Sequence, residues 1–365
     1  MKLVQYKRIG VTLVVAAAVA ACGGGGSDST PAAGGGGSGS GGAAVAPPTD
    51  AVAAKGTLQV SAGASTYAGS SMHDDAFAVL NAVRSAAGAG YVFQSAAIDV
   101  AAAAHAKYLT TNRGAISDFH TEDAAKPDFY AVTTAGRMAR AGYAARHVDE
   151  VIGGTGPSRK GSDCVLGLLN SVYHGVALLS QVTDVGIGFG VDGANVPMCV
   201  VDLGVPGGVI FPQVQASGEL TGYPHAGQKS VFETFYVGYE VPRPSTTLFP
   251  GLTAGTPVIV NFANADFVNM QAAGTLSVTV TKFSLKDAGG NVVPAAVLAN
   301  TTAATGAAKG AGVTLNSDAK LSAGVAVLVP LSPLAKAATY TAEFSVTLKS
   351  GGVPLTKTWS FTTNP

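Results

Sequence analysis

The stretch LLNSVYHGVALLSQVTDVGIGFG, residues 168–190, changes its period halfway along. Leu168, Leu169, Val172, Val176 and Leu179 recur at helical spacing. The runs DVGIGFGVDG (184–193), VPMCVVDLGV (196–205) and GVIFPQVQ (208–215) then read as strands. A helix feeding directly into a short series of strands predicts helices packed around a small antiparallel sheet, an α+β fold.

Upstream, three more helices are expected. DDAFAVLNAVRSAAGAG (74–90) opens with two acids, places Phe77, Leu80, Val83 and Ala87 on one face, and closes with glycines. SAAIDVAAAAHAKYLTTNRG (95–114) repeats that grammar, with Ser95 as cap and Ile98, Ala101, Ala102, His105 and Leu109 sharing a face. TAGRMARAGY (134–143) is a shorter helix that ends at Gly142. The run CVLGLLNSVYHGVALLSQ (164–181) reads as one continuous fourth helix. From about Pro244 the character becomes all-β and no helical period appears. TPVIVNFA, GTLSVTVTKFSLKD, GVAVLVPLSP, TYTAEFSVTLKSGG and PLTKTWSFTT are β-branched runs separated by turn residues, with Gly351–Gly352 placed as a hairpin turn. That pattern suits an immunoglobulin-like sandwich over residues 246–365, with Trp359 as a core anchor.

The chain has 365 residues, 12% of them charged, with 22 basic and 22 acidic side chains. Such a balance carries no basic patch for nucleic acid. At the N-terminus Lys2, Lys7 and Arg8 precede the short apolar run VTLVVAAAVAA, and small residues lead into Cys22. This is the grammar of a lipoprotein signal over residues 1–21, with Cys22 carrying lipid and tying the chain to a membrane. Gly23, rather than aspartate, follows that cysteine, which directs the expectation to the cell envelope and its outer membrane. Residues 22–58 are Gly/Ser/Ala/Pro-rich and read as a flexible tether. With Cys22 assigned to lipid, Cys164 and Cys199 remain as a pair available for one disulfide.

Six pieces in fixed order then carry a resemblance. They are LNAVRSAAG, AAAAHAKYL, FHTED…KPDF, RMARAGY, DEVIGG and the 168–190 stretch itself. Together they resemble the CAP superfamily (cysteine-rich secretory, antigen 5 and pathogenesis-related proteins, or SCP-like domains), and the domain is expected over 59–245. The resemblance implies an α-β-α sandwich with a cleft built from two histidines and one or two glutamates. By position these are His120, Glu150 and His174, with Glu122 as a fourth candidate. Three departures stand out. Gly175 replaces an arginine that usually follows the second histidine. His147-Val148-Asp149 replaces the usual run before the glutamate. The glutamate that animal and plant members place shortly before the second histidine has no counterpart.

Read by their chemistry alone, two imidazoles and a carboxylate can supply three ligands to Zn2+ or a similar divalent metal, leaving one position open. Without metal, a histidine beside a carboxylate can act as a base near neutral pH. Each residue also has a plainer reading: His120 as a solvated loop residue, His174 as a hydrogen-bonded core histidine, Glu150 as an exposed carboxylate. His105, on an apolar helix face, reads as packing. Alternation on an extended loop points Glu122 to the same side as His120. Ser171 and His174 lie three apart on a predicted helix, but no GxSxG elbow accompanies them. The glycines of GIGFG lead into strand, not into a helix, so they make no phosphate loop. Three functions compete on this reading: a binding protein for a lipid, glycan, peptide or cell-wall fragment; a metal-assisted or histidine-based hydrolase; and an adhesion module acting through the C-terminal domain.

Overall fold

The computed structural model describes residues 57–155, 159–191, 197–209, 212–300 and 313–365. Cys22 and the predicted signal and tether up to residue 56 lie outside them. The described part is α+β and begins with helix α1 (Met72–Ala87), capped by Ser71 at one end and by left-handed Gly88 at the other. A two-residue strand β1 (Phe93–Gln94) leads into α2 (Ala96–Asn112), and α3 (Thr134–Arg140) follows the acidic loop. Next come β2 (Ala145–Gly154), α4 (Gly161–Leu169), α5 (Tyr173–Leu178), β3 (Asp184–Val191) and β4 (Pro197–Pro206). The sheet order is β1-β3-β4-β2, so β2, a strand not expected from the sequence, forms one edge.

The sheet is a layer between helices. Ala102, Ala106, Tyr108 and Leu109 of α2 cluster with Met198 and Val200 on one face, where Met138 of α3 also packs. Residues of α1, α4 and α5 share a second core with Val185, Ile187, Cys199, Val201 and Leu203 on the other. The alternation of β3 explains its glycines. A Cβ built at Gly186 would stand 2.3 Å from the backbone of Ile98 and Asp99, and one at Gly188 would stand 2.3 Å from that of Ala102. The backbone of α2 thus packs directly on the strand, and only glycine fits at these positions. A disulfide joins Cys164 of α4 to Cys199 of β4, as the cysteine count suggested.

Two of the expected elements differ. The run 164–181 is not one helix: it breaks at Asn170, whose φ −83 and ψ 37 leave the helical region, and α5 restarts three residues on. GVIFPQVQ forms no strand among its described residues; instead Gln213 turns its side-chain amide onto Val182 O at 2.7 Å.

Beyond β4 the chain builds two further sheets. One, ordered β5-β6-β10-β8-β9, comprises β5 (Thr221–Tyr223), β6 (Val258–Asn261), β8 (Ala295–Ala299), β9 (Val313–Ser317) and β10 (Val325–Pro330). The other, ordered β12-β11-β7, comprises β7 (Thr279–Lys286), β11 (Thr339–Thr347) and β12 (Leu355–Thr362). Phe262, Phe283, Phe344, Trp359 and Phe361 fill the core they share, and Trp359 donates its indole N–H to Pro224 O at 2.7 Å. A helix, α6 (Ala265–Ala272), interrupts this β region where no helical period was read. Asn264 accepts from Phe267 N and caps it. The expected division at 245/246 does not separate two cores. β5 lies before it yet pairs with β6, and Phe235, Ile259 and Val327 belong to the core of α1 and α4.

Gly188→Ala is expected to cost about 3 kcal/mol or more, because the obstructing atoms are main chain and cannot swing aside. Gly167→Ala, in open space within α4, should instead gain roughly 0.5 kcal/mol. Urea unfolding of both variants checks this, and equal midpoints would refute the close-packing account.

Candidate functional site

The acidic loop 118–130 is ordered from beneath. His105, fully buried on α2, points one ring nitrogen at Glu122 Oε1 and the other at Phe119 O, both at 2.8 Å. Glu122 also accepts the backbone N–H of Tyr130 at 2.6 Å and of Ala131 at 3.2 Å. It is therefore a buried strut of the loop and does not share a side with His120. The loop is irregular there, so strand alternation does not apply. His120, by contrast, emerges half-exposed and sets Nδ1 2.8 Å from Glu150 Oε1.

Glu150 comes from the edge strand β2 and is buried. Its second oxygen accepts from Arg137 Nη2 at 2.6 Å, and the same guanidinium reaches His120 O at 3.3 Å. Burial pushes the Glu150 carboxyl up, but the hydrogen bond from His120 and the charges of Arg137, His105 and His120 outweigh it and hold the group at about 2. Asp202 stands opposite Glu150 in the β2–β4 register. Burial, followed by the charge of Glu150, drives Asp202 well above the usual carboxylate range.

His174 arrives from the other face of the sheet. Its helix α5 is only six residues long and is clamped at both ends. Glu240 accepts the backbone N–H of Val172 at 3.0 Å, of Tyr173, and of His174 at 3.3 Å. The buried guanidinium of Arg84 donates to Leu178 O at 2.6 Å and Ser180 O at 3.0 Å. Carboxyl oxygens accepting at the first turn and a cation at the last both complement the helix dipole. Ser171 Oγ and Glu240 Oε1 lie 3.1 and 3.7 Å from His174 Nδ1. Because both face the same nitrogen, imidazole does not bridge hydroxyl and carboxylate, as a hydrolytic triad requires. Gly175 also finds its reason: a Cβ there would meet Ile259 Cδ1 of β6 at 2.7 Å, so the covering sheet leaves no room for arginine.

The two histidines nevertheless meet. β2 is an edge, and around its end Ile152–Gly154 the two faces of the sheet open onto one groove. A recess of about 490 Å3 is lined by both His120 and His174, with Phe119, Met198, Tyr239 and Val241 among its walls. A second recess of about 340 Å3 adjoins it, sharing Ile152, Gly153, Gly154, His174 and Tyr239, and adds Asn170, Ser171, Tyr236 and Glu240. Among the described residues no group of three or more His, Cys, Asp or Glu side chains is arranged to hold a metal ion. Glu150, expected as the third ligand beside His120 and His174, has both oxygens engaged, one by a guanidinium that repels a cation. Sequence reasoning missed Arg137, Asp202, Tyr239 and Glu240. Arg137 carried a signal, being a cation on the inward side of a short helix. Glu240 had none, lying well beyond the resembling region.

No family model and no curated protein matches the chain. Two solved structures are similar to parts of it. An outer surface protein from Borrelia burgdorferi is 18% identical, covers 36% of this chain and 89% of its own, and has a TM-score of 0.30. The selenomethionine form of PcoC, a copper resistance protein from Escherichia coli, is 15% identical over 39% of this chain and 95% of its own, with a TM-score of 0.20. Similarity at that level carries no statement about function. Among the described residues no helix is long and apolar enough to cross a membrane.

The Glu240–His174 contact makes a signed prediction. Burial raises Glu240 from 4.5 to about 7, with three N–H donors pulling the other way. The folded chain therefore holds that proton where the unfolded chain has lost it, and this contribution to stability falls as pH rises from about 4.5 to about 7. Burial lowers His174 from 6.5 to about 4, so its contribution rises with pH over that window. Relative to wild type, Glu240→Gln should gain stability with rising pH between about 4.5 and 6.5, and His174→Ala should lose it. Urea midpoints across pH test this; three parallel profiles would refute it.

Proposed function

We propose that this chain is an exported, lipid-anchored protein of the CAP superfamily that binds an extracytoplasmic ligand in the groove at the β2 edge. The N-terminal signal grammar and Cys22 support anchoring in the cell envelope. The ordered motifs, together with a sheet layered between helices, support the CAP reading. The facing sheets of the C-terminal part support an immunoglobulin-like module. One observation carries the binding function: His120 and His174, 54 positions apart in numbering, line one recess whose other walls include Phe119, Ile152, Met198 and Val241. An apolar pocket with few convergent polar groups is the ordinary form of a ligand site. In it, each histidine has Nδ1 beside a carboxylate, Glu150 or Glu240.

A histidine-based hydrolase is the second reading, favoured by His120, half-exposed in the recess with Nδ1 2.8 Å from Glu150 Oε1. Unchanged turnover of a hydrolysed substrate in His120→Ala/His174→Ala would remove it.

The binding function is tested by nuclear magnetic resonance on the full chain carrying Cys22→Ser and 15N-labelled histidine. Chitotriose, a tetra-alanine peptide and palmitate are added in turn. At least one should shift both His120 and His174, and the double alanine variant should bind that probe about tenfold or more weakly. If no probe shifts either histidine, the groove is not a ligand site for these classes and the reading fails.

A further inference from the structure

The groove's two ends differ in chemistry. At the His174 end, Ser171 donates its hydroxyl proton to Leu168 O at 2.8 Å, so toward His174 Nδ1 it can only accept. Nδ1 must then carry the imidazole proton, and the neutral ring presents Nε2 as a lone pair. The carboxylate of Glu240, 3.7 Å from Nδ1, reinforces that tautomer. Asn170 donates its amide N–H to Thr234 O at 2.8 Å, and its buried Oδ1 finds no partner in the protein. The backbone N–H groups of residues 172–174 are already taken by Glu240. Apart from the hydroxyls of Thr234, Tyr236 and Tyr239, the side-chain atoms left to a ligand there are acceptors, and no lysine or arginine is among the residues lining the recess.

Beside these acceptors lies an aromatic platform. Tyr239 is 85% exposed and stacks on Tyr236, with ring centroids 5.7 Å apart. An exposed tyrosine pair offers a flat apolar face with wet edges. An anionic head group would meet lone pairs at this end. An acyl chain would bury Nε2 unsatisfied, at roughly 1–3 kcal/mol. A pyranose ring answers both features, because its hydroxyls donate at the rim while its C–H face lies flat on an aromatic ring.

We propose that the His174 end of the groove is a saccharide subsite, in which a neutral sugar ring stacks on Tyr239 and donates a hydroxyl to His174 Nε2. Glu240 is a positioning residue in it, fixing α5 and the tautomer of His174. The subsite rests on the ligand-binding reading above and narrows it to one class of ligand.

The test uses the same full chain with Cys22→Ser. Long-range 1H–15N spectra should show His174 protonated at Nδ1, and Glu240→Gln should shift that tautomer balance. Chitotriose should shift His174 Nε2, while Tyr239→Ala, which removes an exposed ring, should weaken chitotriose binding about tenfold. An Nε2–H signature at His174 overturns the acceptor chemistry. A Tyr239→Ala variant that binds chitotriose as tightly as wild type overturns the stacking. If palmitate shifts the histidines and chitotriose does not, the saccharide subsite falls while the ligand groove stands. If neither probe nor the peptide shifts them, both fall together.

Discussion

The near contact of α2 with β3 is the constraint on which the rest depends. Gly186, Gly188 and Gly190 face Ile98, Ala102 and Ala106, and a single methyl group on the strand would collide with helix backbone. Close packing at that seam sets the depth of α2, and through it the position of His105. Fully enclosed between Glu122 and Phe119 O, His105 then dictates the course of the loop that carries His120. A seam of small residues is thereby connected, through a buried histidine, to an exposed one.

The opposite wall of the groove is positioned by a different device. α5 is too short to be stable on its own, and it is held by Glu240 at its start and Arg84 near its end. Arg84 spends its guanidinium on carbonyls alone, and burial lowers it to about 9. Glu240 belongs to the segment that joins β5 to β6, neighbouring strands of one C-terminal sheet, and that segment also supplies Tyr236 and Tyr239. The C-terminal part therefore contributes directly to the groove, and Ile259 of β6 closes the space beside Gly175.

Charge in the site is balanced rather than exposed. Arg137 joins Glu150 to the carbonyl of His120, burial raises Asp202 well above the usual carboxylate range, and Glu122 is engaged by His105 and two backbone donors. The groove itself is lined by His120, His174, Tyr236 and Tyr239. Buried polar groups in this protein hold the site; exposed ones are left to meet a ligand.

What was legible in the sequence follows one rule. Elements with a clear local pattern were readable: α1, α2, α3 with its closing Gly142, and the strands β3, β4, β6, β7 and β10 to β12; the Cys164–Cys199 pair was readable from the cysteine count. His120, Glu150 and His174 were legible only through the resemblance, and the groove that His120 and His174 share could not be read from spacing. Tertiary structure alone decided four matters. It broke the 164–181 helix at Asn170, where Glu240 supplies a cap from 70 positions away in numbering. It turned Glu122 inward, because a buried His105 beneath the loop is a better partner than solvent. It gave the GIGFG glycines their purpose, which depends on a helix laid across them. It also drew the C-terminal sheets into the wall of the groove. Local sequence carries propensity and period, whereas a buried carboxylate, a missing side chain or a shared wall acquires meaning only from what lies across the fold.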